Sequence, residues 1–260
     1  YKEKAKGWAA EMADLINTHN GGNMRIAIDR MAYEGIAAIQ AHGFEIFDGF
    51  ELMENAREIK SDGEIALMKH AIDVCELGMK AMHEAMEPGM TENALWSKLH
   101  AKNIELGGEW IETRLLSSGQ RTNPWFRECS MRVIEEGEMV SFDTDLIGPY
   151  GYCADLSRSW VCGDVKPNDE QKRLYQAAYE QIQHNLTLMK DGISFQEVTE
   201  KAWKIPDEFI NNRYGCIGHG VGLCDEFPSL VHQIDWDAGK GYPGHLRTGM
   251  CICIESLIGT

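Results

Sequence analysis

The chain has 260 residues, 43% of them hydrophobic, and 25 Lys+Arg against 41 Asp+Glu set a formal charge of −16. So acidic a protein repels nucleic acid and anionic lipid, and no uncharged apolar run approaches the roughly 18 residues that span a bilayer. The length accommodates one to two domains of about 150 residues.

The opening YKEKAKGWAAEMADL is charged from the start and unlike a secretory signal. Eight cysteines without a CxxC pair read as reduced, mostly buried thiols of a cytoplasmic protein, not as a zinc knuckle. The apolar runs at 24–28 (MRIAI) and 44–47 (FEIF) flank a helix-like stretch from Met31 to His42, a strand–helix–strand pattern. Too short to bury a sheet alone, residues 1–50 read as the C-terminal part of a domain that began upstream. From Glu51 the texture changes, and 51–260 is assigned to a second domain. Ser61 with Glu64 forms a capping box, and Ile65, Met68, Ile72, Cys75, Met79 and Met82 continue at helical spacing. Glu87-Pro88-Gly89 ends that helix, and Thr91 caps a second one bearing Leu95, Leu99 and Ile104.

Past residue 110 the pattern turns to strands. Met139–Leu146, a Gly148-Pro149-Tyr150-Gly151 turn and Tyr152–Cys162 predict a hairpin. Helices are expected from Asp169 to Met189 and after Ser194, which has Glu197 three residues on; Met250–Leu257 closes the chain as a strand. Helix pairs alternating with hairpins predict an α+β fold, helices covering one face of a mostly antiparallel sheet.

Asp143-Thr144-Asp145 carries the strongest chemical signal. In a strand, alternate side chains share a face, so both carboxylates point one way while Val140, Phe142 and Thr144 point the other. Side-by-side carboxylates repel and lose solvation, a cost that positive charge would offset. Asp155 returns on the second arm of the hairpin; His219 stands between glycines in GCIGHGVGL, and Glu255 ends CICIE. Together these form a hard, oxygen-rich set suited to a divalent metal or a metal pair. Each element alone has a plainer reading: a solvated strand edge for the aspartates, a hydrogen-bonded loop for His219, an exposed strand end for Glu255.

From about Leu52 onward the chain resembles the creatinase, prolidase and methionine aminopeptidase superfamily, the pita-bread fold. The matching motifs are ELMENAREIKSDGEIALMKHAI, EEGEMVSFDTD with GYCADLSRSW, GHGVGL and CICIES. The resemblance implies a curved, mostly antiparallel sheet covered by helices. It also implies a metal site formed by Asp155, His219 and Glu255, with Asp143, Asp145 or both. Thr144 falls where the superfamily has its first metal aspartate, with a carboxylate on either side. The segment SSGQRTNPWFRECSM lacks the histidine that peptidases carry there, and Asp225 stands where peptidases have the second histidine that handles the scissile amide.

This altered set, DTD with GHGVGLCDEFP, is similar to the branch of the fold, found in marine bacteria, that cleaves dimethylsulfoniopropionate to dimethyl sulfide and acrylate. The resemblance implies two divalent metal ions, iron foremost, with zinc, manganese or cobalt also compatible. It implies a homodimer acting on a small zwitterionic sulfonium acid. Asp225 takes the role of base, removing the proton α to the substrate carboxylate. Tyr214 and Phe227 are candidate walls of its pocket, and Trp125, Phe126 and Tyr214 are candidate aromatic faces for the sulfonium. A prolidase-type metallopeptidase and an inactive binding module are the competing expectations. The superfamily's second bridging glutamate would fall beyond Thr260, so the sequence reads as partial, with its catalytic domain truncated at the C-terminus.

Overall fold

The computed structural model describes residues 1–125 and 127–260. They divide into two units, Tyr1–Arg57 and Glu58–Thr260.

In the first unit, helix α1 (Lys2–His19) precedes strand β1 (Arg25–Ile28), helix α2 (Tyr33–Gln40), strand β2 (Glu45–Asp48) and helix α3 (Phe50–Arg57). β1 and β2 pair in parallel, Ile26 opposite Ile46, as two strands joined by a crossover helix must. Ala9 and Ala13 of α1 pack with Ile39 and Phe44 as a small core. The charged opening of the chain is thus one face of a helix whose buried stripe is mostly alanine, too faint a stripe to stand out in the sequence. Helix α3 issues directly from β2, where Phe50 N donates to Asp48 Oδ1 at 2.9 Å.

The second unit begins with two long helices, α4 (Asp62–Ala85) and α5 (Glu92–Glu105). Ser61 and Glu64 form the reciprocal capping box, and Thr91 Oγ1 accepts from Ala94 N. The helical stripe Met68, Cys75, Met79, Met82 is buried with Leu95 and Leu99 of α5. Each such side chain contributes about 1.5–3 kcal/mol relative to exposure.

Against these helices lie strands β3 (Trp110–Ile111), β4 (Leu116–Ser118), β5 (Met139–Phe142), β6 (Leu146–Ile147), β7 (Cys153–Ala154) and β8 (Arg158–Val161). Helices α6 (Asp169–Leu186) and α7 (Phe195–Lys201) follow, then strands β9 (Gly218–Val221), β10 (Asp225–Leu230) and β11 (Ile252–Ile254). Among the described residues the ladders of this unit are antiparallel, in the orders β4-β5-β8, β3-β6-β7 and β10-β9-β11.

The hairpin expected from Met139 to Cys162 is interrupted at its centre. β5 pairs with β8 and β6 with β7, while Asp143, Thr144 and Asp145 lie outside any strand, Asp145 with φ 36. Thr144 bridges the gap: its Oγ1 donates to Ala154 O and accepts from Leu156 N, both at 2.9 Å. A hydroxyl replaces the missing rung. The last strand is also shorter than the apolar run 250–257, since only Ile252–Ile254 finds a ladder, on β9.

Candidate metal centre

The carboxylates of Asp143, Asp145 and Asp155 bring oxygens within 4.8 Å of one another, and so do the donor atoms of Asp155, His219 and Asp225. Asp155 belongs to both groups, its side chain 3% exposed. The two aspartates of the DTD segment do converge, as expected, but not through strand alternation. The chain leaves the ladder, and Asp145 turns through a left-handed conformation, which for a residue with a Cβ is uncommon and marks a local constraint. Thr113 Oγ1 donates to Asp145 Oδ2 at 2.7 Å, which holds that turned carboxylate.

His219 reaches the site from the central strand β9, between β10 and β11. The glycines on either side of it have a packing cause. A Cβ at position 218 would lie 2.3 Å from Cys253 O, and one at 220 would lie 2.1 Å from Phe227 O. Flanking strands press on both neighbours, so of residues 218–220 only His219 projects a side chain. Its Nε2 lies 3.2 Å from Asp155 Oδ2 and 3.6 Å from Glu255 Oε1, and its Nδ1 donates to Gly220 O at 2.9 Å. Glu255, 8% exposed, is placed by its own N–H, which donates to Ile217 O.

So much negative charge in a buried space demands a positive counterpart. Burial, then Asp155, Glu255 and Asp145, push the Asp143 carboxyl well above the carboxylate range. Burial and Asp155 raise Asp145 to about 6, against the Thr113 hydrogen bond. Burial works to lower the His219 imidazole, but the carboxylates of Asp155 and Glu255 push it up to about 12. Asp155 Oδ1 is buried and has no hydrogen-bond donor. An orphaned carboxylate oxygen among hard oxygen and nitrogen donors fits a divalent cation.

Asp225 sits at the rim. Its Oδ1 is 4.0 Å from His219 Nδ1, and 40% of its side chain is exposed. Partial burial and the charge of Asp155, with help from Asp145 and Glu112, raise it to about 7 against the pull of His219. Tyr214 is half-buried; burial and the nearby Glu255, Asp143 and Asp155 keep its hydroxyl protonated. Trp125 lies elsewhere on the approach, lining a cavity of about 1010 Å³ that reaches Asp155 and Glu255. Phe227 packs its ring in an aromatic cluster with Phe195 and Tyr242 at 5.9 and 5.7 Å. Phe126 lies outside the described residues.

Two contributors escaped the sequence reading. Thr113 belongs to a segment with no pattern of its own. Cys153 Sγ donates to Asp225 Oδ1 at 3.8 Å; burial keeps it a thiol. Its position two before Asp155 was a signal, since i and i+2 share a strand face.

Residues 66–259 match the metallopeptidase family M24. The chain belongs to that family. The dimethylsulfoniopropionate lyase DddP of Roseovarius nubinhibens is 46% identical over 98% of this chain and 58% of its own length. The DddP of Roseobacter denitrificans is 43% identical over 96% of this chain and 57% of its own. The chain therefore spans less than two thirds of these relatives. Among solved structures, a dipeptidase from Pyrococcus horikoshii superposes with a TM-score of 0.83 at 22% identity, covering 97% of this chain and 69% of that one. The prolidase from Pyrococcus furiosus gives 0.76 at 23% identity, over 89% of this chain and 67% of that one. The fold of this M24 chain is the α+β pita-bread fold of those proteins. Among the described residues no helix is long and apolar enough to cross a membrane.

Proposed function

We propose that this M24 chain carries the catalytic site of a carbon–sulfur lyase that cleaves dimethylsulfoniopropionate to dimethyl sulfide and acrylate. The observation that carries the reading is Asp225: a half-exposed carboxylate at the rim of a buried acidic cage, its Oδ1 4.0 Å from His219 Nδ1, where peptidases of the superfamily would have a histidine. A carboxylate beside the cage and open to solvent is placed to take a proton from a substrate held there, as general-base work requires. The two relatives named dimethylsulfoniopropionate lyase support the same assignment.

In this reading Asp225 accepts the proton on the carbon α to the substrate carboxylate. The C–H electron pair becomes the Cα=Cβ bond of acrylate, and the Cβ–S pair leaves with sulfur as neutral dimethyl sulfide. The leaving group needs no proton, so the amide-handling histidines of a peptidase have no task. Asp143, Asp145, Asp155, His219 and Glu255 would hold two divalent ions, with iron our assignment. Such ions supply Lewis acidity that draws in the substrate carboxylate and acidifies its α carbon. Tyr214 keeps its proton and offers a hydroxyl and an aromatic face next to the cage, and Trp125 offers a second face in the cavity, each worth about 0.5–2 kcal/mol to a desolvated sulfonium. The resemblance also supports a homodimer.

Metal-loaded protein incubated with dimethylsulfoniopropionate is expected to release dimethyl sulfide into the headspace and to leave Xaa-Pro dipeptides intact. Free proline without sulfide would replace this reading with a prolidase-type hydrolase.

A further inference from the structure

The loop that carries Asp225 rests on a buried ion pair. Lys60 Nζ donates to Glu226 Oε1, with side chains only 2% and 0% exposed, and Nζ also reaches Glu58 O at 3.4 Å. The segment bearing Lys60 is itself anchored. Lys60 N donates to Gly249 O at 2.9 Å, and Arg247 pairs with Glu58. A Cβ on Gly222 would lie 2.4 Å from Glu226 Oε1 and 2.9 Å from Lys60 Cε. The pair therefore packs directly on the backbone of the β9–β10 turn, whose Gly222 O also accepts from Cys153 N at 2.8 Å.

Removing two charges from water is costly, and an apolar pair of the same volume serves stability as well or better. What the charged pair adds is a fixed direction. Adjacent residues of a strand point to opposite faces, so anchoring Glu226 on the buried side sets where Asp225 points on the other. We infer that Lys60 and Glu226 are positioning residues: their buried ion pair fixes residues 222–226 and so holds the Asp225 carboxylate beside His219. The inference rests on the reading of Asp225 as the base.

The test compares Glu226→Gln, Lys60→Arg and the double variant Lys60→Met/Glu226→Gln in metal-loaded protein. The double variant removes both charges at nearly constant volume and leaves no lone buried charge, so it answers if a single variant does not fold. A misplacement near 1 Å costs up to about 100-fold. Glu226→Gln and the double variant are expected to lose roughly tenfold or more in kcat, with KM and metal content unchanged. Lys60→Arg, which can restore the pair, is expected to stay within about threefold of the parent. Parental kcat in a folded double variant overturns the inference. So does a double variant that does not fold, since the pair then serves stability alone. If the parent releases proline and no sulfide, the lyase reading falls, and the same kcat comparison on proline release judges the pair.

Discussion

Gly220→Ala tests whether the close strand approach beside His219 is what builds the metal centre. The new Cβ would sit 2.1 Å from Phe227 O, 2.6 Å from Phe227 C and 2.7 Å from Glu226 O. These are backbone atoms, which cannot swing aside. Reaching an ordinary contact of 3.4 Å requires about 1.3 Å of separation between β9 and β10. Overpacking on this scale costs about 1–3 kcal/mol. Because β9 carries His219 and β10 carries Asp225, the same displacement acts on both, and a 1 Å error costs about 100-fold in rate. The assays are thermal unfolding, metal content after dialysis against a divalent ion, and sulfide release. Gly215→Ala is the control, since nothing lies within 4 Å of a Cβ there; it is expected to change stability by less than about 0.5 kcal/mol. A Gly220→Ala protein with parental stability, metal content and turnover would refute the reasoning.

Asp225→Ala is expected to lower turnover by about 100-fold to 10,000-fold while leaving metal content intact; loss of metal would show that Asp225 is a ligand instead. His219→Ala is expected to lose metal and activity together, measured by elemental analysis of the dialysed protein. Thr144→Val keeps the shape but removes the hydroxyl that bridges Ala154 O and Leu156 N. It is expected to cost about 1–3 kcal/mol in denaturant unfolding. Glu92, fully buried, accepts from Ser118, Ser130 and Arg121. Burial works to raise its carboxyl, but these hydrogen bonds hold it below its ordinary 4.5. A carboxylate lowered on folding adds stability above that ordinary value, lost as pH falls through the folded one. Glu92→Gln is therefore expected to cost about 2–3 kcal/mol at pH 7, the gap to the parent narrowing as pH falls below 4.5 in pH-resolved unfolding curves.

Local sequence determined what depends on a few neighbouring residues. The capping boxes at Ser61 and Ser194 and the Thr91 cap start helices where expected, because a side-chain oxygen three residues from a free N–H suffices to cap it. Apolar spacing set the buried faces of α4 and α5, and the motifs carry the resemblance that implies the pita-bread fold. The charged run at the amino terminus hid α1, since an alanine stripe carries little hydrophobic signal. The tertiary structure alone decided how the DTD segment works. The residues that bend it, Thr113 and Thr144, act through partners as distant in sequence as Asp145 and Ala154. It alone disclosed why His219 stands between glycines and where Glu226 finds its counter-charge, Lys60, 166 positions away. Contacts of that kind depend on strands and helices meeting in space, and electrostatic energy follows distance in space rather than separation along the chain.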